Sequence, residues 1–167
     1  MFCFATLYYE GAVAIHKTAY DHEFNQTAPK VYHNKTLWGL FIPSSVLLAF
    51  SLEIFLKCLM QVRGNNPIRG HKTKELFSEL SLRDRRHIGH MFRSERATRG
   101  DTVSLKSVFA RASNYFDEMR YGYEKPVPRL PAGGIKGLDL AAEAVRLVIL
   151  DKHPDWQQRY LDRESFL

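Results

Sequence analysis

The sequence predicts an all-α fold, a single-domain bundle of about five to six helices over residues 1–167. The stretch from Ser44 to Met60 is apolar on nearly every side apart from Glu53 and Lys57, so other helices must cover it. The segment from Leu105 to about Tyr123 places apolar residues at three- and four-residue steps, the spacing of an amphipathic helix. No alternating pattern typical of β-strands stands out.

The N-terminal part is predicted to form two helices joined by a long loop. Residues from Phe4 to Tyr20 carry apolar and small side chains at helical spacing. The polar segment from Asp21 to Leu37 contains Pro29 and is predicted to connect this helix to the central one, near residues 44–62. A proline and two charged residues interrupt the apolar run from Trp38 to Met60, which argues against a membrane span.

Two further helices are predicted between the central helix and the long amphipathic one. A short helix runs from His71 to near Leu80. Ser81 and Asp84 resemble a capping box with Asp in place of Glu, so another helix is expected to begin there.

The C-terminal part is predicted to be a loop, one strong helix and a tail. Three prolines and two adjacent glycines between residues 125 and 137 indicate the loop. The apolar pattern from Leu138 to Lys152 predicts the helix. The tail, residues 153–167, is expected to pack back on the bundle through Trp156 and Tyr160.

The charge distribution favours an acidic partner, above all nucleic acid. The chain has a net charge of +6, and the segment from Leu82 to Gly100 contains six arginines against two acidic residues. A solvated surface segment is the alternative interpretation of such a charge run. Because the arginine guanidinium binds two phosphate oxygens at once, the predicted nucleic-acid-binding residues are Arg83, Arg85, Arg86 and Arg93.

Neither a metal nor a cofactor is expected from the sequence. His87 and His90 lie three residues apart without a third ligand in a recognisable spacing. Cys3 and Cys58 lie in apolar helical surroundings and are interpreted as free thiols of a reducing compartment. The N-terminus lacks a positively charged leader before its apolar run, so a cytoplasmic location is expected.

Four motifs then occur in a definite order along the chain. They are Ser51-x-Glu53-x-x-x-Lys57-x-Leu59 in the central helix, Gly70-His71 before the short helix, Arg120-Tyr121 at the end of the long helix, and Ala141-Ala-Glu-Ala-Val145 in the last one. In this order they resemble the HEPN domain family (higher eukaryotes and prokaryotes nucleotide-binding), over roughly residues 44–152.

The resemblance implies an all-α bundle, commonly a homodimer with a polar cleft between protomers. Many members of the family are metal-independent ribonucleases, often toxins paired with a nucleotidyltransferase-type antitoxin, while others bind nucleotides or are non-catalytic modules. Residue by residue, it implies a ligand-binding cleft made by Glu53, Lys57, His71, Arg120 and Tyr121. We expect Glu53 to receive Arg120 across the helix interface, as a structural or a functional pair. His71 is interpreted as a helix-start residue that bonds nearby backbone, with a catalytic base as the alternative.

The sequence departs from the family's nuclease pattern, in which four to six residues separate an arginine from a histidine. Arg120 is followed by Tyr-Gly-Tyr-Glu-Lys-Pro, without a histidine at that distance. Arg85 and His90 have the required spacing, as do Arg83 and His90, and the candidate catalytic residues are therefore Arg85 and His90.

The sequence thus predicts a HEPN-like nucleotide- or RNA-binding protein without the standard ribonuclease site, within a toxin–antitoxin or defence system. The first alternative is a metal-independent endoribonuclease with a rearranged Arg/His site. The second is a non-catalytic interaction module, which predicts an exposed apolar patch and no concentrated positive charge.

Overall fold

The computed structural model describes the backbone of residues 1–25, 30–64, 70–120 and 137–164, and the side chains of residues 1–18, 43–64, 70–113 and 137–162. Within this part of the chain the protein is all-helical, which confirms the all-α part of the predicted fold class. Seven helices form in the described residues, one more than the upper expectation. They are α1 (Phe2–Asn25), α2 (Lys30–Val62), α3 (Thr73–Glu79), α4 (Leu82–Thr98), α5 (Leu105–Arg120), α6 (Leu138–Lys152) and α7 (Asp155–Glu164).

Helices α1 and α2 form a long hairpin. The prediction that the segment from Asp21 to Leu37 is a loop is wrong for most of its length. Helix α1 continues to Asn25 and α2 already begins at Lys30. The prediction failed because a polar segment can also be a helix. Helix α2 also continues through Pro43, a residue that removes one backbone hydrogen bond and costs roughly 3 kcal/mol inside a helix.

The prediction of a central helix is confirmed by the packing of α2. Helix α2 contacts α1, α3, α5 and α6. Its C-terminal half supplies Leu52, Phe55, Leu56 and Leu59, all fully buried. Burial of each such side chain contributes about 1.5–3 kcal/mol, so α2 supplies much of the hydrophobic stabilisation. Helix α6 meets it with small residues that permit close approach, namely Ala141, Ala142, Ala144 and Val145.

Helix α4 is fixed to the bundle by one buried carboxylate. The Ser81 hydroxyl accepts a hydrogen bond from the Asp84 backbone N–H (3.1 Å) and donates one to the Asp84 carboxylate (2.7 Å), which confirms the predicted N-cap. Asp84 is 1% exposed. It accepts two hydrogen bonds from Arg63, the residue that follows α2, with Nε at 3.1 Å and Nη2 at 2.8 Å, and a third contact from Lys152 of α6. One side chain therefore joins α2, α4 and α6.

The C-terminal predictions are confirmed where the structure describes them. Helix α6 has the predicted bounds, and the predicted loop lies outside the described residues except for Gly137. The tail forms α7, whose Trp156 ring lies 5.6 Å from that of Phe2. The Tyr160 hydroxyl donates to a carboxylate oxygen of Glu10 at 2.6 Å, so the tail packs back as expected.

One stretch of α2, Pro43–Val62, is long and apolar enough to cross a membrane by length and composition. Other helices bury 61% of it, which is also the pattern of a core helix. This is the one such stretch that the described residues contain.

We expect Asp84→Asn to lower the free energy of unfolding by about 2–3 kcal/mol at pH 7, because it leaves two cations beside a neutral amide. Burial alone would raise the pKa of Asp84, but hydrogen bonds from Arg63, Lys152 and Ser81 hold that pKa well below its ordinary value of 3.8. The stabilisation by the carboxylate is therefore complete above about pH 5 and is lost as the pH falls below about 4.

Urea unfolding at pH 7 and pH 3 measures this difference between wild type and variant. The control is Asp155→Asn, since the Asp155–Arg159 pair is exposed and should contribute less than about 1 kcal/mol. Equal losses for Asp84→Asn and Asp155→Asn at pH 7, or a difference that does not narrow at pH 3, would contradict the role given to Asp84.

We expect Gly137→Ala to lower the free energy of unfolding by about 1–3 kcal/mol. Gly137 has a φ of 108°, and a Cβ there would lie 2.8 Å from Val103 Cγ1 and 2.9 Å from Val108 Cγ2. Gly11→Ala is the matched control, because Gly11 is helical with nothing within 4 Å of a Cβ, and it should stabilise by up to about 1 kcal/mol. Thermal unfolding of both variants should shift in opposite directions; shifts of the same sign would refute the prediction.

Candidate functional site

A row of four exposed basic residues runs along the outer face of α4: Arg83, Arg86, His90 and Arg93. Their spacing of three, four and three residues keeps the side chains on one side of the helix, over about 15 Å. The two acidic residues of α4 lie elsewhere, since Asp84 is buried and Glu95 is half-buried. None of the ion pairs within the described part of the chain involves the arginines of the row. We call this row the basic stripe: it consists of the exposed residues Arg83, Arg86, His90 and Arg93.

Arg85 differs from the other three predicted nucleic-acid-binding arginines. Arg85 is half-buried, and its Nε atom is buried without a hydrogen-bond partner among the described residues. The rotation of about 100° per residue places it about 140° around α4 from His90, five residues later. The candidate catalytic pair therefore does not converge within one chain. Arg83 and His90 do share a face, but they lie about 10 Å apart along the helix axis.

A second polar cluster joins α2 to the residues before α3. Glu53 is 4% exposed, and its Oε1 atom lies 2.7 Å from Lys57 Nζ and 2.9 Å from His71 Nδ1. The structure thus brings together three of the five residues predicted for the cleft. The Arg120 side chain and Tyr121 lie outside what the structure describes, so the pairing of Glu53 with Arg120 stays a prediction.

The hydrogen bond to Glu53 assigns the proton on the neutral His71 ring. An ionised carboxylate can only accept, so Nδ1 must donate, and the Nε2 nitrogen then carries the lone pair. This bond runs to the Glu53 side chain, and the predicted bond from His71 to nearby backbone stays a prediction. The His71 side chain is 69% exposed, while Glu53 behind it is buried. A buried carboxylate that orients an exposed imidazole in this way also prepares histidines for proton transfer in enzymes.

Sequence reasoning missed the side chains that hold Asp84. Neither Arg63 nor Lys152 belongs to a local motif. Arg63 follows α2 and Lys152 ends α6, whereas Asp84 lies in α4. A buried acidic residue at a helix start is a weak signal that a distant cation exists. Arg63 also lines a cleft at the start of the basic stripe.

The described residues give no support to thiol or metal chemistry. Both cysteines are free, as predicted, and burial raises the pKa of Cys58 to about 11, so its thiol stays protonated near neutral pH. Residues 1–25, 30–64, 70–120 and 137–164 contain no group of three or more potential metal-binding side chains.

Helix α1 exposes three apolar side chains, but they do not share one face. Phe4, Leu7 and Val13 are 63%, 45% and 39% exposed. At about 100° per residue, Val13 lies on the opposite side of the helix from Phe4. The interaction-module hypothesis predicts an exposed apolar patch and no concentrated positive charge, and the basic stripe does not fit the second condition.

No known protein family, curated protein or solved structure matches the chain. The resemblance described above therefore depends on its four motifs. The arguments about function depend on the basic stripe and on the cluster around Glu53.

We expect the neutral His71 ring to carry its proton on Nδ1, because Glu53 accepts that hydrogen bond. Nitrogen-15 correlation spectra of the histidine rings at pH 8.5 distinguish the two tautomers. His90, which is exposed on α4, serves as the internal reference for a ring without a carboxylate partner. Glu53→Met should move His71 toward the tautomer of His90; an Nε2-protonated His71 in the wild type would contradict the assignment.

Proposed function

We propose that this chain is a HEPN-like RNA-binding protein that holds the sugar–phosphate backbone along the basic stripe. The observation that carries the proposal is the alignment of three arginines and a histidine on one exposed face of α4, without an acidic residue among them. A solvated helix surface usually mixes both signs of charge, because intrahelical ion pairs stabilise it. A face of one sign is complementary to a polyanion.

The chemistry of arginine supports phosphate as the group that is bound. The guanidinium is always charged, and its fork of donors matches two phosphate oxygens. Each neutralised phosphate releases counterions, so binding weakens as salt rises. Three arginines on single-stranded RNA correspond to a slope of log K against log salt of about −2.

We expect Arg86→Glu to weaken binding of a labelled 12-nucleotide single-stranded RNA by about 5- to 10-fold at 100 mM salt. The salt slope should become shallower by about 0.7, because one phosphate contact is lost. Fluorescence anisotropy across a salt series measures both quantities.

The matched control is Lys106→Glu, which changes the net charge equally at an exposed position on α5. It should change the affinity less than about 2-fold, since only distant charge is altered. Equal effects of the two variants would show that net charge alone, and not the stripe, attracts RNA. Absence of any salt-dependent binding would refute the proposal.

The cluster around Glu53 favours a second candidate function, metal-independent RNA cleavage at His71. His71 Nε2 would accept the proton of a ribose 2′-hydroxyl as that oxygen attacks the adjacent phosphorus. The bond from phosphorus to the 5′-oxygen then breaks, the 5′-oxygen takes a proton from water, and a 2′,3′-cyclic phosphate remains. Lys57, 20% exposed beside Glu53, supplies positive charge near the developing phosphorane.

Under this second candidate, we expect labelled RNA to be cut in EDTA to products that end in a 2′,3′-cyclic phosphate. His71→Ala should reduce the rate by about 100-fold or more, the usual contribution of a general base. Arg85→Ala is the control, and it should retain cleavage. An intact RNA after prolonged incubation, or cleavage that survives His71→Ala, would refute a catalytic His71 and leave RNA binding in place.

The homodimer, the nucleotidyltransferase-type partner and the role in a toxin–antitoxin or defence system are part of the proposal through the HEPN resemblance alone. A homodimer would affect how the RNA-binding assays above are carried out. Binding should be measured over a range of protein concentrations, so that self-association and RNA binding are separated.

A further inference from the structure

A cleft of about 400 Å³ opens at the N-terminal end of the basic stripe. It lies where the end of α2, the end of α3 and the start of α4 meet. Its lining is Met60, Arg63, Leu80, Ser81, Arg83 and Asp84. Arg83 belongs both to the cleft and to the stripe, so the two surfaces are continuous.

The lining of the cleft combines apolar and charged residues. Met60 and Leu80 are apolar residues of the lining and are 2% and 4% exposed. Arg63 and Arg83 contribute positive charge to the lining, and the Arg63 side chain is 36% exposed. Sites that hold flat organic molecules commonly have this composition, an apolar lining with a few polar groups that fix orientation.

Arg63 is held in a fixed orientation, which suits it to stack on a flat ring. Its Nε and Nη2 atoms both donate to the buried Asp84 carboxylate, at 3.1 Å and 2.8 Å. Two bonds to one carboxylate fix the plane of the guanidinium. The planes of arginine guanidinium groups are among the surfaces on which proteins stack unpaired RNA bases.

From these features we infer that the cleft receives one unstacked base of a single-stranded RNA whose phosphates follow the basic stripe. The inference rests on the proposed RNA binding and specifies its substrate class. In a duplex the bases are paired and stacked, so none can enter the cleft without the cost of unpairing. The protein should therefore prefer single-stranded RNA, although the stripe alone would accept either form.

The test compares Arg63→Lys with Arg159→Lys in the full chain. Both variants keep the positive charge, but Arg63→Lys removes a planar group from the cleft, while Arg159→Lys changes an exposed arginine of α7 outside the cleft and the stripe. We expect Arg63→Lys to weaken binding of a 12-nucleotide single-stranded RNA by about 10-fold, as loss of base stacking does. Arg159→Lys should change it less than about 2-fold. Thermal unfolding establishes that both variants remain folded under the assay conditions.

Two RNA ligands separate base binding from phosphate binding. A 12-base-pair duplex and a single strand that is abasic at every position both keep their phosphates. We expect both to bind wild type about 10-fold more weakly than the intact single strand. Arg63→Lys should not weaken them further, because they place no base in the cleft.

A photo-crosslink from RNA containing 4-thiouridine locates the base directly. Crosslinked peptides that contain residues 80–83 are the expected result. Crosslinks confined to residues 86–93, or equal affinity for the single strand, the duplex and the abasic strand, would overturn the inference that the cleft binds a base. Either result would leave the stripe as a phosphate-binding surface. Failure of all three RNAs to bind would overturn the proposed function itself.

Discussion

The buried carboxylate of Asp84 is the interaction on which the arrangement of this bundle depends. It receives Arg63 from the end of α2, Lys152 from the end of α6 and the hydroxyl of Ser81 at the start of its own helix. A buried ion pair contributes modestly to net stability, because desolvation offsets much of its Coulomb energy. Its larger effect here is geometric: one buried side chain fixes the rotation of α4 about its axis.

That rotation determines which basic residues face water. With Asp84, Ile88 and Phe92 turned inward, the opposite face carries the basic stripe, and Arg85 is left half-buried between the two. The same rotation separates Arg85 from His90, although their spacing in sequence fits a nuclease motif. His71 instead has a carboxylate partner, Glu53, at the other polar cluster. Packing of the core thus separates the basic stripe on α4 from the histidine that Glu53 holds.

Local patterns in the sequence predicted most of the fold. The cap at Ser81, the bounds of α6 and the centrality of α2 followed from hydrogen-bonding residue types and apolar periodicity, which act within a few residues. The extent of α2 could not be predicted from such patterns. Packing offsets the cost of Pro43 within the helix, and a polar segment can be an exposed helix as well as a loop. The contacts of Arg63 and Lys152 with Asp84 span 21 and 68 residues and leave no local pattern. The arginine-rich segment was evident from the sequence. Which of its arginines are exposed and which are half-buried depends on the rotation of α4 about its axis, which the sequence pattern did not predict.

The measurement that tests the central claim most directly is amide chemical-shift mapping of isotope-labelled protein, titrated with a 12-nucleotide single-stranded RNA. The account predicts saturable shifts concentrated on residues 80–93 of the chain, together with Arg63, and their disappearance at high salt. Shifts centred on the exposed apolar residues of α1, or no saturable shifts at all, would contradict the assignment of the basic stripe as the RNA-binding surface.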